Sequence, residues 1–163
     1  MNKLIHVKGD AVKALVNNDV DYLMHCCNAQ GVMGSGIALQ IKNTFPQTYK
    51  DYHNYCRNYD NLLGSIVIRD GVINIIAQNF YGSQMRDVHY GALVSGFMQV
   101  IDKIYSNELY KCKFDSNGNL IPYRIAVPKY MASDRAGGDW EIVKELLESF
   151  PSKIEIHCYE LEI

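Results

Sequence analysis

Two glycine-containing loops carry the residue types best suited to binding an anion. The first spans residues 28 to 38 and contains three glycines, and the second spans residues 132 to 138. Each loop is expected to join the end of a strand to the start of a helix, where free backbone amides bind phosphate groups. Glycines in such loops often serve turn geometry alone. On the loops themselves, phosphate binding and a purely structural turn are both open.

One histidine and one aspartate near these loops are candidates for catalysis. His25 ends an apolar run just before the first loop, and Asp134 lies within the second. An imidazole with a near-neutral pKa could protonate a leaving oxygen, orient water or attack phosphorus. A carboxylate that faces phosphate could orient water. The structural alternatives are a buried, hydrogen-bonded His25 and an Asp134 that pairs with Arg135.

The first loop lacks the residues of two common nucleotide-binding motifs. Gly36 is followed by Ile37 and Ala38, where a P-loop requires Lys and then Ser or Thr to bind phosphates and magnesium. The glycines also lack the register of a dinucleotide-binding fingerprint. ATP hydrolysis and hydride transfer are therefore disfavoured.

The hydrophobic pattern predicts the elements that position these loops. Alternating and β-branched runs indicate strands, and apolar residues spaced three and four apart indicate helices. The pair Asp70-Gly71 between two β-rich runs predicts a hairpin. Strands separated by helices imply an α/β domain with helices on both faces of a mixed sheet. Predicted strands cover residues 4–7, 22–25, 65–69, 72–77, 123–127 and 154–161, and predicted helices begin near residues 11, 37, 46, 89 and 140.

Composition limits the class of protein. The chain has 163 residues, 48% hydrophobic and 21% charged, which is typical of one globular domain spanning residues 1–163. A formal net charge of −2 excludes a domain held to nucleic acid mainly by bulk positive charge. No run approaches the ~20 apolar residues of a membrane span, and the N-terminus lacks the apolar core of a signal peptide. We therefore expect a cytoplasmic protein. The charge balance and the lack of a large apolar stripe favour a monomer.

The cysteines and histidines show no metal-binding pattern. The five cysteines are odd in number and show no C-x-x-C spacing, and the five histidines are scattered. We expect reduced thiols, several of them in the core, with no structural metal and no cofactor.

Several stretches resemble one known family, in order and over nearly the whole chain. They are Val7-Lys8-Gly9-Asp10, His25-Cys26-Cys27-Asn28, Gly34-Ser35-Gly36-Ile37-Ala38 and Trp140 after the second loop. With them the chain resembles the macro domain family of ADP-ribose-binding proteins. The His-x-x-Asn-x-x-Gly arrangement, followed by Phe45-Pro46, Asp51-Tyr52 and Leu62-Leu63-Gly64, is most similar to the branch of the yeast-type ADP-ribose 1''-phosphate phosphatases. The resemblance implies a three-layer α/β/α domain with a mixed, mainly parallel sheet.

The resemblance also implies a role for each matching residue. Asp10 would accept a hydrogen bond from the adenine amino group, and the Ala11 amide would contact the adenine ring. Asp10 also suits the N-cap of a helix. Asn28 would bind the distal ribose, although asparagine is a common turn residue. The first-loop amides would hold the phosphate or the distal ribose, and the second loop would close over the diphosphate. The implied ligand-binding set is Gly9, Asp10, Ala11, Asn28, Gly34, Ser35, Gly36, Ile37, Ala38, Phe80, Tyr81, Ser133, Arg135, Ala136, Gly137 and Tyr159.

Aromatic residues in this set would contact the ligand through their ring faces. Phe80 and Tyr81 lie in the segment that flanks the distal ribose in this family, and Tyr159 would lie beside the adenine. The tyrosines at positions 49, 52 and 59 recur at helical spacing, and we interpret them as packing residues.

One departure from the family bears on the reaction. Branch members that remove ADP-ribose from glutamate side chains have a catalytic lysine where this chain has Ala77-Gln78-Asn79, and an aspartate near Ala136. Gln78 cannot act as an amine nucleophile, which weakens lysine-dependent deacylation. The resemblance therefore implies hydrolysis of ADP-ribose 1''-phosphate to ADP-ribose and phosphate through His25 and Asp134. Removal of ADP-ribosyl adducts from protein or nucleic acid, and non-catalytic ADP-ribose binding, stay as alternatives.

Overall fold

A computed structural model describes residues 2–80, 87–106, 109, 114–133 and 136–162. The strands are β1 (Ile5–Lys8), β2 (Tyr22–Asn28), β3 (Ile66–Arg69), β4 (Val72–Gln78), β5 (Tyr123–Pro128) and β6 (Ile154–Glu160). The helices are α1 (Ala11–Val16), α2 (Gly36–Thr44), α3 (Pro46–Asn58), α4 (Tyr90–Tyr105) and α5 (Trp140–Glu148). The predicted elements are confirmed, and their ends shift by only a few residues.

The strands of the described residues form one mixed sheet in the order β1-β6-β5-β2-β4-β3. Every neighbouring pair is parallel except β3 and β4, which form an antiparallel hairpin. Asp70 and Gly71 connect the hairpin at φ values of 54° and 80°, as the sequence predicted. Because the other strands are parallel, their carboxyl ends meet at one edge of the sheet.

Alternate residues of the central strands face two separate cores. Met24 of β2 and Ile75 of β4 pack on the side of α4 and α5, whereas Leu23 and Ile76 pack on the side of α1, α2 and α3. Every residue of β4 is buried, as expected for a strand covered by helices on both faces. The result is the three-layer α/β/α arrangement that the sequence predicted.

Helix α4 lies unusually close to the sheet. At Gly96 an added Cβ would be 2.4 Å from Cγ2 of Ile75, so only glycine allows this approach. Within the described part of the chain, no helix is long and apolar enough to span a bilayer.

Candidate active site

The carboxyl ends of β2 and β5 open into a cleft of about 580 Å³. Its walls come from the first loop and the start of α2 on one side, and from the second loop on the other. This is the position that the sequence predicted for an anion-binding site. The lining residues are 25–28, 32–38, Gln78, 128–132, Ala136 and Leu161.

The first turn of α2 presents free backbone amides to the cleft. Its N-cap, Ser35, makes no side-chain hydrogen bond to the helix, and the first amide bonded back to the N-cap carbonyl is that of Leu39. Among the described residues, no acceptor outside the helix is bonded to the amides of Gly36, Ile37 or Ala38. These amides carry the positive end of the helix dipole, so the turn can bind a phosphate.

Asn28 shapes the first loop from inside the protein. Its Oδ1 accepts hydrogen bonds from the amides of Gln30 at 3.0 Å and Val32 at 3.2 Å, while its Nδ2 donates to the carbonyl of Val32 at 2.8 Å. The resemblance assigned this side chain to the distal ribose. The bonds leave one amide hydrogen of Asn28 for a ligand, so ribose binding stays a prediction restricted to that group, and loop positioning is the role that the geometry shows.

Tyr52 of α3 is the partner that sequence analysis missed. The side chain is fully buried, and its hydroxyl lies 2.8 Å from Oδ1 of Asn28 and 2.5 Å from the Asn28 carbonyl oxygen. Burial raises the pKa of this phenol far above its ordinary value, which keeps the proton on the hydroxyl. Its helical spacing predicted packing alone, yet a tyrosine hydroxyl buried under a loop needs a hydrogen-bond partner.

His25 lies inside β2, with its side chain on the α3 face of the sheet and 1% exposed. Its Nε2 is 2.6 Å from Oδ1 of Asn74. The Asn74 amide cannot be reversed, because its Nδ2 donates to Oγ1 of Thr48 and to the carbonyl of Val67. Nε2 of His25 therefore carries the proton, and Nδ1 is the unprotonated nitrogen.

The near-neutral pKa expected for His25 is wrong for this environment. Burial lowers the pKa to about 4, and the hydrogen bond to Asn74 opposes the shift only in part. At neutral pH the imidazole is uncharged in the unliganded protein, which disfavours the general-acid role, one of the three roles that the sequence suggested. A catalytic contribution of another kind stays a prediction.

The thiols of the cleft floor are not activated nucleophiles. Burial raises the pKa of Cys26 to about 12 and raises that of Cys27 well above its ordinary value. The Cys26 thiol donates to Oε1 of Gln78 at 3.7 Å, and Nε2 of Gln78 donates to the carbonyl of Phe80 at 2.8 Å. Cys26, Cys27, Cys56 and Cys158 are all free thiols, as predicted, and Cys112 lies outside the described residues.

The second loop is a series of tight turns. Tyr130 and Ala132 adopt positive φ values of 65° and 60°, a strained conformation for residues with a Cβ. The Ser133 amide donates to the carbonyl of Tyr130 and its hydroxyl donates to that of Met131. Both donors are thus bonded within the loop in the absence of a ligand, and the diphosphate contact implied for Ser133 stays a prediction. Gly137, also implied, has a φ of 72° and lies outside the cleft lining.

This loop is tied to the segment before α4. The amides of Asp87 and Val88 both donate to the carbonyl of Ala136, which lines the cleft as predicted. An added Cβ at Gly138 would lie 2.5 Å from the Ala132 carbonyl oxygen and 2.8 Å from Cγ1 of Val88. Asp134 and Arg135, both predicted site residues, lie outside the described residues, as does Tyr81.

The residues implied for adenine lie outside the cleft lining, by the edge strand β1. Asp10 caps α1, because its Oδ1 accepts from the amides of Val12 and Lys13. A Cβ at Gly9 would lie 3.8 Å from the ring of Tyr159, so Tyr159 flanks the β1–α1 turn. Ala11 is the first residue of α1. Phe80, which was implied for the distal ribose, is 63% exposed and also lies outside the cleft lining.

A metal site of three or more His, Cys, Asp or Glu side chains is not formed by the residues that the structure describes. The lysine in the described cleft lining is itself paired. Lys129 lines the cleft, and its Nζ lies 2.9 Å from Oε2 of Glu160. Among the described residues, the groups that the cleft offers to an anion are therefore mainly backbone amides.

Comparison with known proteins identifies the family. A protein of Candida albicans named ADP-ribose 1''-phosphate phosphatase is 36% identical over 147 residues, covering 89% of this chain and 92% of the relative. The Saccharomyces cerevisiae protein of the same name is 26% identical over 186 residues, covering 99% of this chain and all of the relative. The chain belongs to the macro domain family, in the branch of the yeast-type ADP-ribose 1''-phosphate phosphatases. No family model matches the chain.

Solved structures agree on the fold. The macrodomain of Mycobacterium tuberculosis DarG superimposes with a TM-score of 0.73 at 22% identity and covers 98% of both chains. Thermosipho africanus DarTG, solved in complex with ADP-ribose, gives a TM-score of 0.71 at 19% identity over the whole of this chain and 42% of that one. The three-layer fold is thus that of a macrodomain.

Replacing Gly36 tests the phosphate-binding turn. Its φ of 58° disfavours any other residue, and an added Cβ would meet nothing within 4 Å because it would enter the open cleft. We expect Gly36→Ala to cost about 1–2 kcal/mol of stability and to weaken ADP-ribose binding at least tenfold. Gly118→Ala is the control, since Gly118 has a φ of 80° and equally open surroundings away from the cleft. Calorimetry showing equal affinity for both variants would contradict the assignment.

Removing the Tyr52 hydroxyl tests whether this group stabilises the first loop. Tyr52→Phe leaves Asn28 short of a buried donor, so we expect a loss of about 2 kcal/mol in urea unfolding and several-fold weaker ADP-ribose binding. Tyr55→Phe on the same helix removes only a 3.4 Å bond to Ser65 and should change neither quantity appreciably. Identical behaviour of the two variants would show that the Tyr52 hydroxyl does not order the loop.

The buried imidazole makes stability depend on pH. The folded-state pKa of His25, about 4, lies below the ordinary 6.5, so the unfolded chain binds the proton more readily and stability falls as pH drops from 6.5 towards 4. Between pH 7.5 and 5 this one group should remove about 2 kcal/mol. Urea unfolding at both pH values should show a correspondingly smaller loss in His25→Gln, which keeps a donor for Asn74. An equal loss in both proteins would place the pH dependence elsewhere.

Proposed function

We propose that this protein is an ADP-ribose 1''-phosphate phosphatase, which hydrolyses the phosphate monoester to ADP-ribose and inorganic phosphate. The observation that carries the proposal is the 36% identity, over 89% of the chain, to a protein of that name. The cleft supports it, because a helix N-terminus with free amides is an anion site at the carboxyl edge of the sheet.

Backbone amides supply the electrostatic part of the reaction. Negative charge on the phosphoryl oxygens must be stabilised as the bond to the ribose oxygen breaks, and preorganised donors do this without reorganisation. The amides of Gly36, Ile37 and Ala38 are the donors in the first loop. Lys129 contributes less, because Glu160 neutralises it.

Proton transfer must be arranged around a neutral His25. With a pKa of about 4 the imidazole does not protonate the leaving oxygen at neutral pH. We assign His25 to positioning, because it links β2 through Asn74 to β4 and to Thr48 of α3 beneath the cleft. We propose Asp134 as the group that orients the attacking water, a role that rests on its place in the second-loop sequence. The leaving oxygen is the anomeric oxygen of a sugar, a better leaving group than an ordinary alkoxide.

Hydrolysis of ADP-ribosyl adducts is the second enzymatic candidate. The Mycobacterium tuberculosis DNA ADP-ribosyl glycohydrolase is 34% identical over only 62 residues, 38% of this chain and 16% of that protein. The lysine used by the deacylating relatives is replaced by Gln78, whose amide is already bonded to Cys26 and Phe80. The phosphatase is therefore the function that the site supports best.

The test is phosphate release from ADP-ribose 1''-phosphate in the presence of a chelator. We expect multiple turnovers for the wild type, retention of most activity in His25→Gln, and a loss of at least about 100-fold in Asp134→Asn. In H₂¹⁸O the label should enter phosphate if water attacks phosphorus. A wild type that binds ADP-ribose but releases no phosphate would overturn the proposal in favour of a reader. Release of ADP-ribose from modified protein or DNA without phosphatase activity would overturn it in favour of the adduct hydrolase.

A further inference from the structure

Three charged side chains meet at the carboxyl edge of the sheet, beside the cleft. Oε2 of Glu160 lies 2.9 Å from Nζ of Lys129 and 3.3 Å from Nζ of Lys8. The sheet fixes this charge triad of Lys8, Lys129 and Glu160. Lys8 of β1 pairs in register with Glu160 of β6, and the Lys129 amide donates to the carbonyl of Tyr159 at 2.8 Å. One carboxylate oxygen thus serves two ammonium groups, and the triad has positive charge in excess.

The two lysines of the charge triad compete for the same carboxylate. The hydrogen bond to Glu160 raises the pKa of Lys129, and the hydrogen bonds from Lys129 and Lys8 lower the pKa of Glu160. Lys129 and Glu160 are therefore both ionised at neutral pH. Because both ammonium groups contact one oxygen, they also lie close enough to repel each other. Each lysine therefore weakens the ion pair that the other forms.

Lys129 is the member of the charge triad that can reach a ligand. It lines the cleft, whereas Glu160 and Lys8 lie outside the described cleft lining. Its Nζ also lies 5.1 Å from the ring centroid of Tyr130, a neighbouring residue of the lining. An ammonium has three N–H donors on a flexible stem, so Lys129 can turn from the carboxylate to an anion in the cleft. Glu160 and Lys8 can affect that anion through Lys129.

We propose that Lys129 binds a phosphate group of the ligand by leaving Glu160, and that Glu160 and Lys8 are positioning residues that control this exchange of partners. When Lys129 turns to the phosphate, Lys8 stays paired with Glu160, so the carboxylate keeps a cation and the exchange costs less. The inference rests on the proposed function, because the ligand must carry phosphate. It adds a side chain to a site that otherwise offers mainly backbone amides.

Calorimetry with ADP-ribose at low salt tests the exchange. Lys129→Met removes the ammonium and should weaken binding about fivefold, whereas Glu160→Gln releases Lys129 and should tighten binding about threefold. Lys8→Met leaves Lys129 as the one lysine on Glu160 and should weaken binding about threefold, although Lys8 lies outside the cleft lining. All three differences should shrink in 1 M salt, where the screening length is about 3 Å.

The control variants make the same charge changes at the opposite ends of the same strands. Glu155→Gln alters β6, where the Glu155 carboxylate lies 3.1 Å from Nε2 of His157. Lys3→Met alters the exposed lysine just before β1. Neither residue lines the cleft, so both variants should bind ADP-ribose as the wild type does. Equal effects of Glu155→Gln and Glu160→Gln would overturn the inference.

Double variants separate the exchange of partners from the loss of a nearby charge. If Lys8 acts by competing for Glu160, then Lys8→Met should have no further effect in the Glu160→Gln protein. It should also have no further effect in the Lys129→Met protein. A general change of electrostatic potential would instead weaken binding by the same factor in every background. Additive effects of the substitutions would therefore overturn the inference.

The inference and the proposed function can fail separately. Unchanged affinity in Lys129→Met, or weaker binding by Glu160→Gln, would remove the charge triad from ligand binding and leave phosphate release by the wild type intact. A wild type that binds ADP-ribose with the expected dependence on the triad, yet releases no phosphate from ADP-ribose 1''-phosphate, would overturn the proposed function alone.

Discussion

The shape of the cleft depends on the hydrogen bonds that the Asn28 side chain makes at the end of β2. Its side-chain oxygen accepts from two amides of the first loop and lies 2.8 Å from the hydroxyl of Tyr52, which approaches from α3. A loop that turns this sharply cannot satisfy its own backbone, so a polar side chain must do so from inside the fold. With that turn held, α2 starts at Gly36 with its first amides directed into the cleft.

This arrangement suits a chain with a small negative charge. Among the described residues, with Lys129 paired and a net charge of −2 for the chain, the cleft has no strong positive field. Partial charges on fixed amides bind a phosphate without attracting nucleic acid in bulk, because they act only over the length of a hydrogen bond. The uncharged His25 and the protonated thiols beneath the cleft fit the same principle, since an apolar floor favours neutral groups.

The sequence predicted the fold because each element had a strong local signal. Alternating runs predicted the strands, Asp70-Gly71 predicted the hairpin, and glycines predicted the two loops at the carboxyl edge of the sheet. The side-chain roles were harder to predict, because they depend on which face of a strand a residue occupies. One residue of register places His25 towards α3 and Asn74, where burial changes its protonation. Tyr52 was missed for a different reason, since its partner Asn28 lies 24 residues away in sequence.

The bonds between the second loop and the start of α4 also constrain how this protein can change over evolution. The carbonyl of Ala136 accepts hydrogen bonds from the amides of Asp87 and Val88. Gly138 packs so closely against Val88 and Ala132 that a side chain at this position would clash with both. A second loop transplanted from a relative would meet a mismatched neighbour unless the segment before α4 came with it. Substitutions in the two stretches, about fifty residues apart in sequence, are therefore expected to have coupled rather than additive effects on stability.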